Sequence, residues 1–294
     1  MKPLDDYIKK QLDEHLGSIE KLLDADALTI ISPILSPLEN RIRTVLDKLS
    51  DRRKRLAIII DTDGGVIEVC ERIVQTIRHL YEEVYFLVPN KAMSAGTVFV
   101  MSGDKIFMDH FSCLGPIDPQ IMRKDGSTVP ALSYLNQFER LIEKSKNGEL
   151  TTAEFALLNK LDLGELYQFE QARELSIELL EKWLSSYKFK NWEVTETSRE
   201  PVTEEMKKQR AKEIANLLSD VKRWHTHSRG IDMKTLRDEL KLKIDDFNSV
   251  TGLDKEIRSY SDLVQDYRER EGYLLLLHTR EEIYGWSLSQ RSAP

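Results

Sequence analysis

The apolar run Ile58-Ile-Ile60 ends on Asp61-Thr-Asp-Gly-Gly65, and the next apolar segment but one opens with Lys91-Ala-Met-Ser-Ala-Gly-Thr97. These two stretches restrict the fold more than anything else in the chain. A short β-branched run bounded by a glycine pair reads as a buried strand whose carboxyl end presents mobile backbone N–H groups. A small-residue turn carrying Ser94 at the start of a helix supplies one hydroxyl beside a positive dipole end. A hydroxyl nucleophile next to unengaged N–H donors is what acyl-transfer chemistry needs.

Around these stretches, strands and helices alternate. Leu56–Ile60, Val84–Val88, Lys105–Met108 and Cys113–Ile117 read as strands, and Val66–Tyr81 and Gly96–Ser102 as helices. Alternation of this kind predicts an α/β fold with a mostly parallel sheet, in which Gly64-Gly65 and Ser94 both lie just past strand ends. Upstream, residues 1–25 show helical apolar spacing, Ala27–Ile34 reads as an edge strand interrupted by Pro33, and Ser36-Pro37 opens a helix. From Val129 the pattern turns helical, with a Thr151-Thr-Ala-Glu154 capping box, a long helix over Leu163–Ser186, a polar loop over 187–202 and a helix capped by Thr203. A short helix over Asp232–Leu240 follows. The tail predicts a helix over Asp254–Arg270 and a hairpin built from Tyr273–Leu277 and Ile283–Trp286.

Composition narrows the function classes. A net charge of −7 over 294 residues lacks the basic face that nucleic-acid binding needs, and Asp51-Arg-Arg-Lys-Arg55 reads as a solvated connection. Two cysteines, Cys70 and Cys113, make no disulfide framework and read as small core residues. No signal peptide is expected at Met1–Tyr7, and no apolar run reaches the roughly 20 residues of a bilayer span. A cytoplasmic chain without a membrane partner or cofactor is the expectation.

The motifs Asp61-Thr-Asp-Gly-Gly65, Ala92-Met-Ser-Ala-Gly96 and Leu114-Gly-Pro-Ile-Asp-Pro-Gln120, in this order, resemble the Clp-protease/crotonase superfold. Within it the chain is most similar to the serine dehydrogenase proteinase family, relatives of the Clp proteolytic subunit and of signal peptide peptidase A. The resemblance covers roughly residues 26–240. It implies three parts: an N-terminal helix (1–25), a Clp-like serine protease domain (26–240) and a C-terminal helix and hairpin extension (241–294). The family commonly has proline where Asp63 stands, so the loop before Gly64 is expected to differ in shape.

The resemblance makes Ser94 the nucleophile, with Gly64, Gly65 and Ala95 supplying the oxyanion hole. The base is open. Clp-type proteases place a histidine one strand after the serine helix, near Asp118 here, where none stands. His110 falls in a turn. His227, in a Trp-x-Thr-His stretch, resembles a late family motif, and Asp118 then orients it by fixing the imidazole tautomer. A Ser-Lys variant of the signal-peptide-peptidase type would draw on Lys91, Lys105 or Lys124. His225 and His227 would share a side if extended, but no third ligand is identifiable, and a metal site is not expected.

The reading is therefore a serine peptidase acting on a peptide or protein substrate, assembled as a homo-oligomer as the superfold implies. Without a Walker-type glycine loop, any energy-driven unfolding would come from an activating or ATPase partner. A catalytically silent scaffold that keeps the fold is the competing reading. It draws on Asp63 and on the missing histidine near Asp118.

Overall fold

The computed structural model describes residues 3–118, 120–122, 128–195 and 199–287. Its first half alternates as expected: α1 (Pro3–Leu23), β1 (Asp26–Ile31), α2 (Leu38–Asp47), β2 (Arg55–Asp61), α3 (Ile67–Leu80), β3 (Glu83–Leu87), β4 (Lys91–Ala92), α4 (Ala95–Val100) and β5 (Lys105–Met108). The short strand β6 (Cys113–Leu114) and the hairpin β7 (Gln120–Met122) and β8 (Thr128–Pro130) follow. A helical stretch comes next, with α5 (Ala131–Lys146), α6 (Thr152–Leu158), α7 (Leu163–Trp183), α8 (Glu204–Ser219) and the single turn α9 (Val221–Trp224). The chain closes with β9 (Ile231–Asp232), α10 (Met233–Asp238), β10 (Asp245–Asp246), α11 (Leu253–Glu271), β11 (Leu275–Thr279) and β12 (Glu282–Trp286).

The main sheet has seven strands in the order β10-β5-β3-β2-β1-β11-β12. β1, β2, β3, β5 and β10 run parallel, and β11 and β12 are antiparallel additions. β2 is continuous in sequence hydrophobicity because both of its faces are covered. Leu56, Ile58 and Ile60 point into a core built with α2, α3, α4, α7 and α8. Ala57 and Ile59 point the other way, into a second core built with α1 and α11. Each fully buried isoleucine contributes roughly 2 kcal/mol.

Two sequence expectations change here. β1 is an interior strand, because the C-terminal hairpin pairs with it through Thr29 with His278, Ile30 with Leu277 and Ile31 with Leu276. Pro33 lies past its last residue, so no ladder bond is lost. The segment expected as an extension thus completes the sheet on one side with β11 and β12, and on the other with β10, which pairs with β5. The second change is in the long helix: α7 stops at Trp183 and passes into a π-turn over Leu184–Lys188, with Tyr187 stacked on the Arg78 guanidinium at 3.6 Å. The capping box at Thr151 forms as expected, with Thr151 and Glu154 satisfying each other's backbone N–H.

Candidate active site

A second, three-stranded sheet, β4-β6-β9, assembles the site. β4 runs parallel to β6 (Lys91 with Cys113, Ala92 with Leu114), and β9 runs antiparallel (Leu114 with Ile231, Cys113 with Asp232). Ser94 lies two residues past β4, Asp118 four past β6, and His227 four before β9. Because β9 is reversed, its entrance adjoins the exits of β4 and β6. Three residues far apart in sequence therefore lie at the same end of one small sheet.

Ser94 sits at the turn from β4 into α4 with φ +53° and ψ −121°, and its hydroxyl makes no capping hydrogen bond. Such a backbone is strained for a residue with a side chain, and strain of this kind costs on the order of 1–3 kcal/mol. The surroundings hold it. Met93 N–H donates to the Thr62 carbonyl (3.0 Å) and Thr62 N–H to the Lys91 carbonyl (3.1 Å), tying the exit of β2 to β4. Thr97, one turn into α4, is fully buried; its Oγ1 accepts from Gly115 N–H (2.9 Å) and lies 2.8 and 2.9 Å from the Ala92 and Gly115 carbonyls. Thr97 thereby fixes α4 against both strands that carry the site. Its signal in the sequence is the spacing, a small hydroxyl residue three positions after Ser94.

The glycine pair lies directly against this turn. Gly64 has φ +96°, and a Cβ there would stand 2.8 Å from Ser94 Cβ and 2.6 Å from the Met93 carbonyl oxygen. Gly65 has φ +152°, and its Cβ would stand 2.3 Å from the Ile34 carbonyl oxygen. The N–H of Gly64 donates to Thr62 Oγ1 (3.1 Å). The N–H groups of Gly65 and Ala95 make no backbone hydrogen bond among the described residues. Replacing Gly65 by alanine is expected to cost about 2 kcal/mol through its backbone conformation and the clash with Ile34. Thermal melting of Gly65→Ala against the parent checks this.

His227 Nδ1 lies 2.9 Å from Oδ1 of the buried Asp118, with the imidazole only 19% exposed. This pair joins residues 109 positions apart. The neighbouring Ile117 N–H donates to the Leu218 carbonyl (3.1 Å), which seats the β6 exit against the end of α8. No hydrogen bond joins His227 to Ser94 in this structure. His225 lies exposed in a turn with φ +66°, so this segment is not extended and does not present the two histidines as a pair; among the described residues no group of three candidate ligands could hold a metal.

The lysine alternatives fall elsewhere. Lys91 is ion-paired with Asp63, and that hydrogen bond raises the lysine's pKa, which keeps it charged and unsuited to act as a base. Asp63, exposed where the family commonly has proline, is thus the partner of Lys91 across the junction of β2 and β4. Lys105 opens β5, at the opposite end of the sheet, and its ammonium lies 5.0 Å from the Tyr85 ring centre. Lys124 falls outside the described residues, and His110 is exposed. Cys70 is fully buried under α4, where burial pushes its thiol well up, and Cys113 packs against Gly230.

A parallel α/β sheet with a hydroxyl at a strained strand-to-helix turn and free N–H donors beside it defines a serine-hydrolase-like architecture. Residues 38–192 match the family of ClpP-like SDH-type serine proteinases, and the chain belongs to that family. Two uncharacterized proteins of Methanocaldococcus jannaschii are similar: one is 31% identical over 150 residues (48% of this chain, 51% of that protein), the other 26% over 149 residues (48% and 49%). The chain spans about half the length of these curated relatives. Among solved structures, two variants of the 1510-N membrane-bound stomatin-specific protease, one in complex with a substrate peptide, align with TM-scores of 0.44 and 0.43 at 14% and 16% identity. The alignments cover 76% and 74% of this chain and 80% and 73% of those chains. No described helix of this chain is long and apolar enough to cross a membrane.

Proposed function

We propose that the chain is a serine peptidase in which Ser94 attacks a peptide carbonyl. The observation that carries this reading is the convergence of Ser94, Asp118 and His227 at one end of the β4-β6-β9 sheet. His227 Nε2 takes the Ser94 hydroxyl proton as Oγ forms its bond to the carbonyl carbon. Asp118 holds Nδ1–H and thereby presents Nε2 as the acceptor. The developing oxyanion accepts from the N–H groups of Gly65 and Ala95, Gly64 being committed to Thr62. His227 then gives its proton to the departing amine, and water hydrolyses the acyl-enzyme by the same relay.

The missing hydrogen bond between Ser94 and His227 fits a site that substrate or a partner protein completes, since catalytic contacts often tighten only in the substrate complex. A protein substrate would then be supplied or unfolded by a separate partner. Self-association is part of this reading. Phe155, Leu157, Leu163 and Tyr167 on α6 and the start of α7 are all more than half exposed, which favours these helices, rather than the sheet-forming tail, as the contact between copies. The competing reading, a silent scaffold, rests on that same missing contact.

Hydrolysis of a fluorogenic peptide library, with and without candidate partners, separates the two. A peptidase releases fluorophore in at least one condition and Ser94→Ala does not; equal release by both proteins, or none in any condition, favours the scaffold.

A further inference from the structure

A cleft of about 480 Å³ lies apart from Ser94. It opens between the carboxyl ends of β1 and β2 and helix α11, on the face of the sheet away from α4. Its walls are mostly polar, and most of its cations are neutralised locally. Lys91 is paired with Asp63, and Arg258 Nη2 lies 2.8 Å from Asp109 Oδ2. Two well-packed groups are left over. Among the described residues Asp61 makes no ion pair within 4 Å, and Arg268, which lines the same cleft and attracts Asp61 only at longer range, makes none either.

Neither group is saturated by hydrogen bonds. Asp61 Oδ2 accepts from Asn90 Nδ2 (3.0 Å) and Gln265 Nε2 (2.6 Å), while Oδ1 takes no hydrogen bond from the described residues. Donation to Asp61 fixes the Gln265 amide, and its Oε1 is left buried with no donor. One turn along α11, Arg268 Nε is buried with no acceptor. Unmet buried donors and acceptors are rare in folded proteins and call for a partner. Here a buried unmet acceptor (Gln265 Oε1) and a buried unmet donor (Arg268 Nε) are of opposite sense, in one cleft, and not hydrogen-bonded to each other, with the Asp61 carboxylate beside them.

We propose that this cleft binds a free α-amino acid, its ammonium group on Asp61 and Gln265 Oε1 and its carboxylate on the Arg268 guanidinium. A zwitterion meets both needs at once, whereas an amine or a carboxylate alone leaves one charge unmatched. The space suits a small ligand, being near the lower end of ligand pockets. Burial also holds the Asp61 carboxyl above its ordinary range although Asn90, Lys91 and Arg268 favour its ionised form, as expected of a carboxylate still short of a cation. The inference does not rest on the peptidase reading. The Thr62–Asp63 and Lys91 segments that rim the cleft lead directly to Gly64 and Ser94, so an occupant would lie against the loops of the Ser94 site.

Isothermal titration of the full chain with each proteinogenic amino acid in turn, and with n-propylamine and propionate as single-charge controls, tests this. Saturable binding of at least one amino acid below about 10 mM is expected, at least about tenfold tighter than either control. Arg268→Met and Gln265→Leu, each confirmed folded by thermal melting, are each expected to weaken it by about tenfold or more. Arg268→Lys, which keeps the charge but loses the Nε donor, should fall between. The proposal is overturned by the absence of saturable binding for every amino acid, by equal binding of the controls, by binding that neither variant weakens, or by a crystal structure grown with the best amino acid that shows only water between Gln265 Oε1 and Arg268 Nε. Failure here would leave the labelling of Ser94 untouched, so the two readings fail separately.

Discussion

Asp118→Asn is expected to lower peptide hydrolysis by roughly 10³–10⁴-fold while leaving the fold intact. The hydrogen bond between Asp118 Oδ1 and His227 Nδ1 is 2.9 Å long and shielded from solvent on the Asp118 side. A carboxylate there accepts from Nδ1–H and leaves Nε2 as the base. An asparagine amide can instead donate to Nδ1, which puts the proton on Nε2 and removes its ability to take one from Ser94. The amide has almost the same shape, so packing at the β6 exit is retained. Turnover and melting temperature measured on the same preparation separate the two effects, and loss of both together would reassign Asp118 to a structural role.

The second large effect concerns stability. Arg280, just past β11, donates through Nη1 to Asp26 Oδ1 (2.6 Å) and Glu20 Oε1 (3.1 Å), and through Nη2 to the Ser50 carbonyl (2.6 Å). Asp26 is completely buried and Glu20 nearly so. Asp26 also accepts from Arg53 N–H (3.0 Å) and from the Tyr81 hydroxyl (3.1 Å), and Glu20 from Ala27 N–H (2.9 Å). The cluster therefore clamps α1, β1, α3 and the C-terminal hairpin together. Arg280→Leu would leave two buried carboxylates with only the more distant Arg53 as a counter-charge, its Nη1 being 3.8 Å from Glu20 Oε2. Breaking a buried pair from one side costs about 3–5 kcal/mol; with Arg280 itself partly exposed, about 3 kcal/mol is expected, or a drop of roughly 5 °C in melting temperature. A change within a degree or two would show that solvent screens this cluster.

How much of this was legible in the sequence follows from the range of each interaction. The β2 strand, the glycine pair and the Ser94 turn are local: β-branched residues, glycines at positive φ and a small-residue helix start announce themselves within a few positions. The role of Thr97 was missed although its spacing is local, because a buried threonine looks like any other small core residue. The Asp118–His227 pair depends on β9 lying antiparallel to β6, and neither strand is long enough to show a period. That pairing came from resemblance to a family motif, and spacing alone would have left Asp118 as a turn residue.

The interior position of β1 was not legible at all. Pro33 argued for an edge, and only the pairing of Ile30 with Leu277, nearly the full chain away, contradicts it. The amphipathic pattern of α11 predicted a helix correctly, yet could not say that Gln265 and Arg268 would face Asp61. Polar residues on a helix are ordinarily read as its solvated side.

Labelling by a fluorophosphonate, which reacts with an activated serine hydroxyl, followed by mapping of the modified residue, tests whether Ser94 is the nucleophile. A single adduct on Ser94 is expected in the folded parent chain or in its complex with a partner, lost in Ser94→Ala and strongly reduced in His227→Ala. Adduct formation at another serine, or full labelling of Ser94 in His227→Ala, would contradict it.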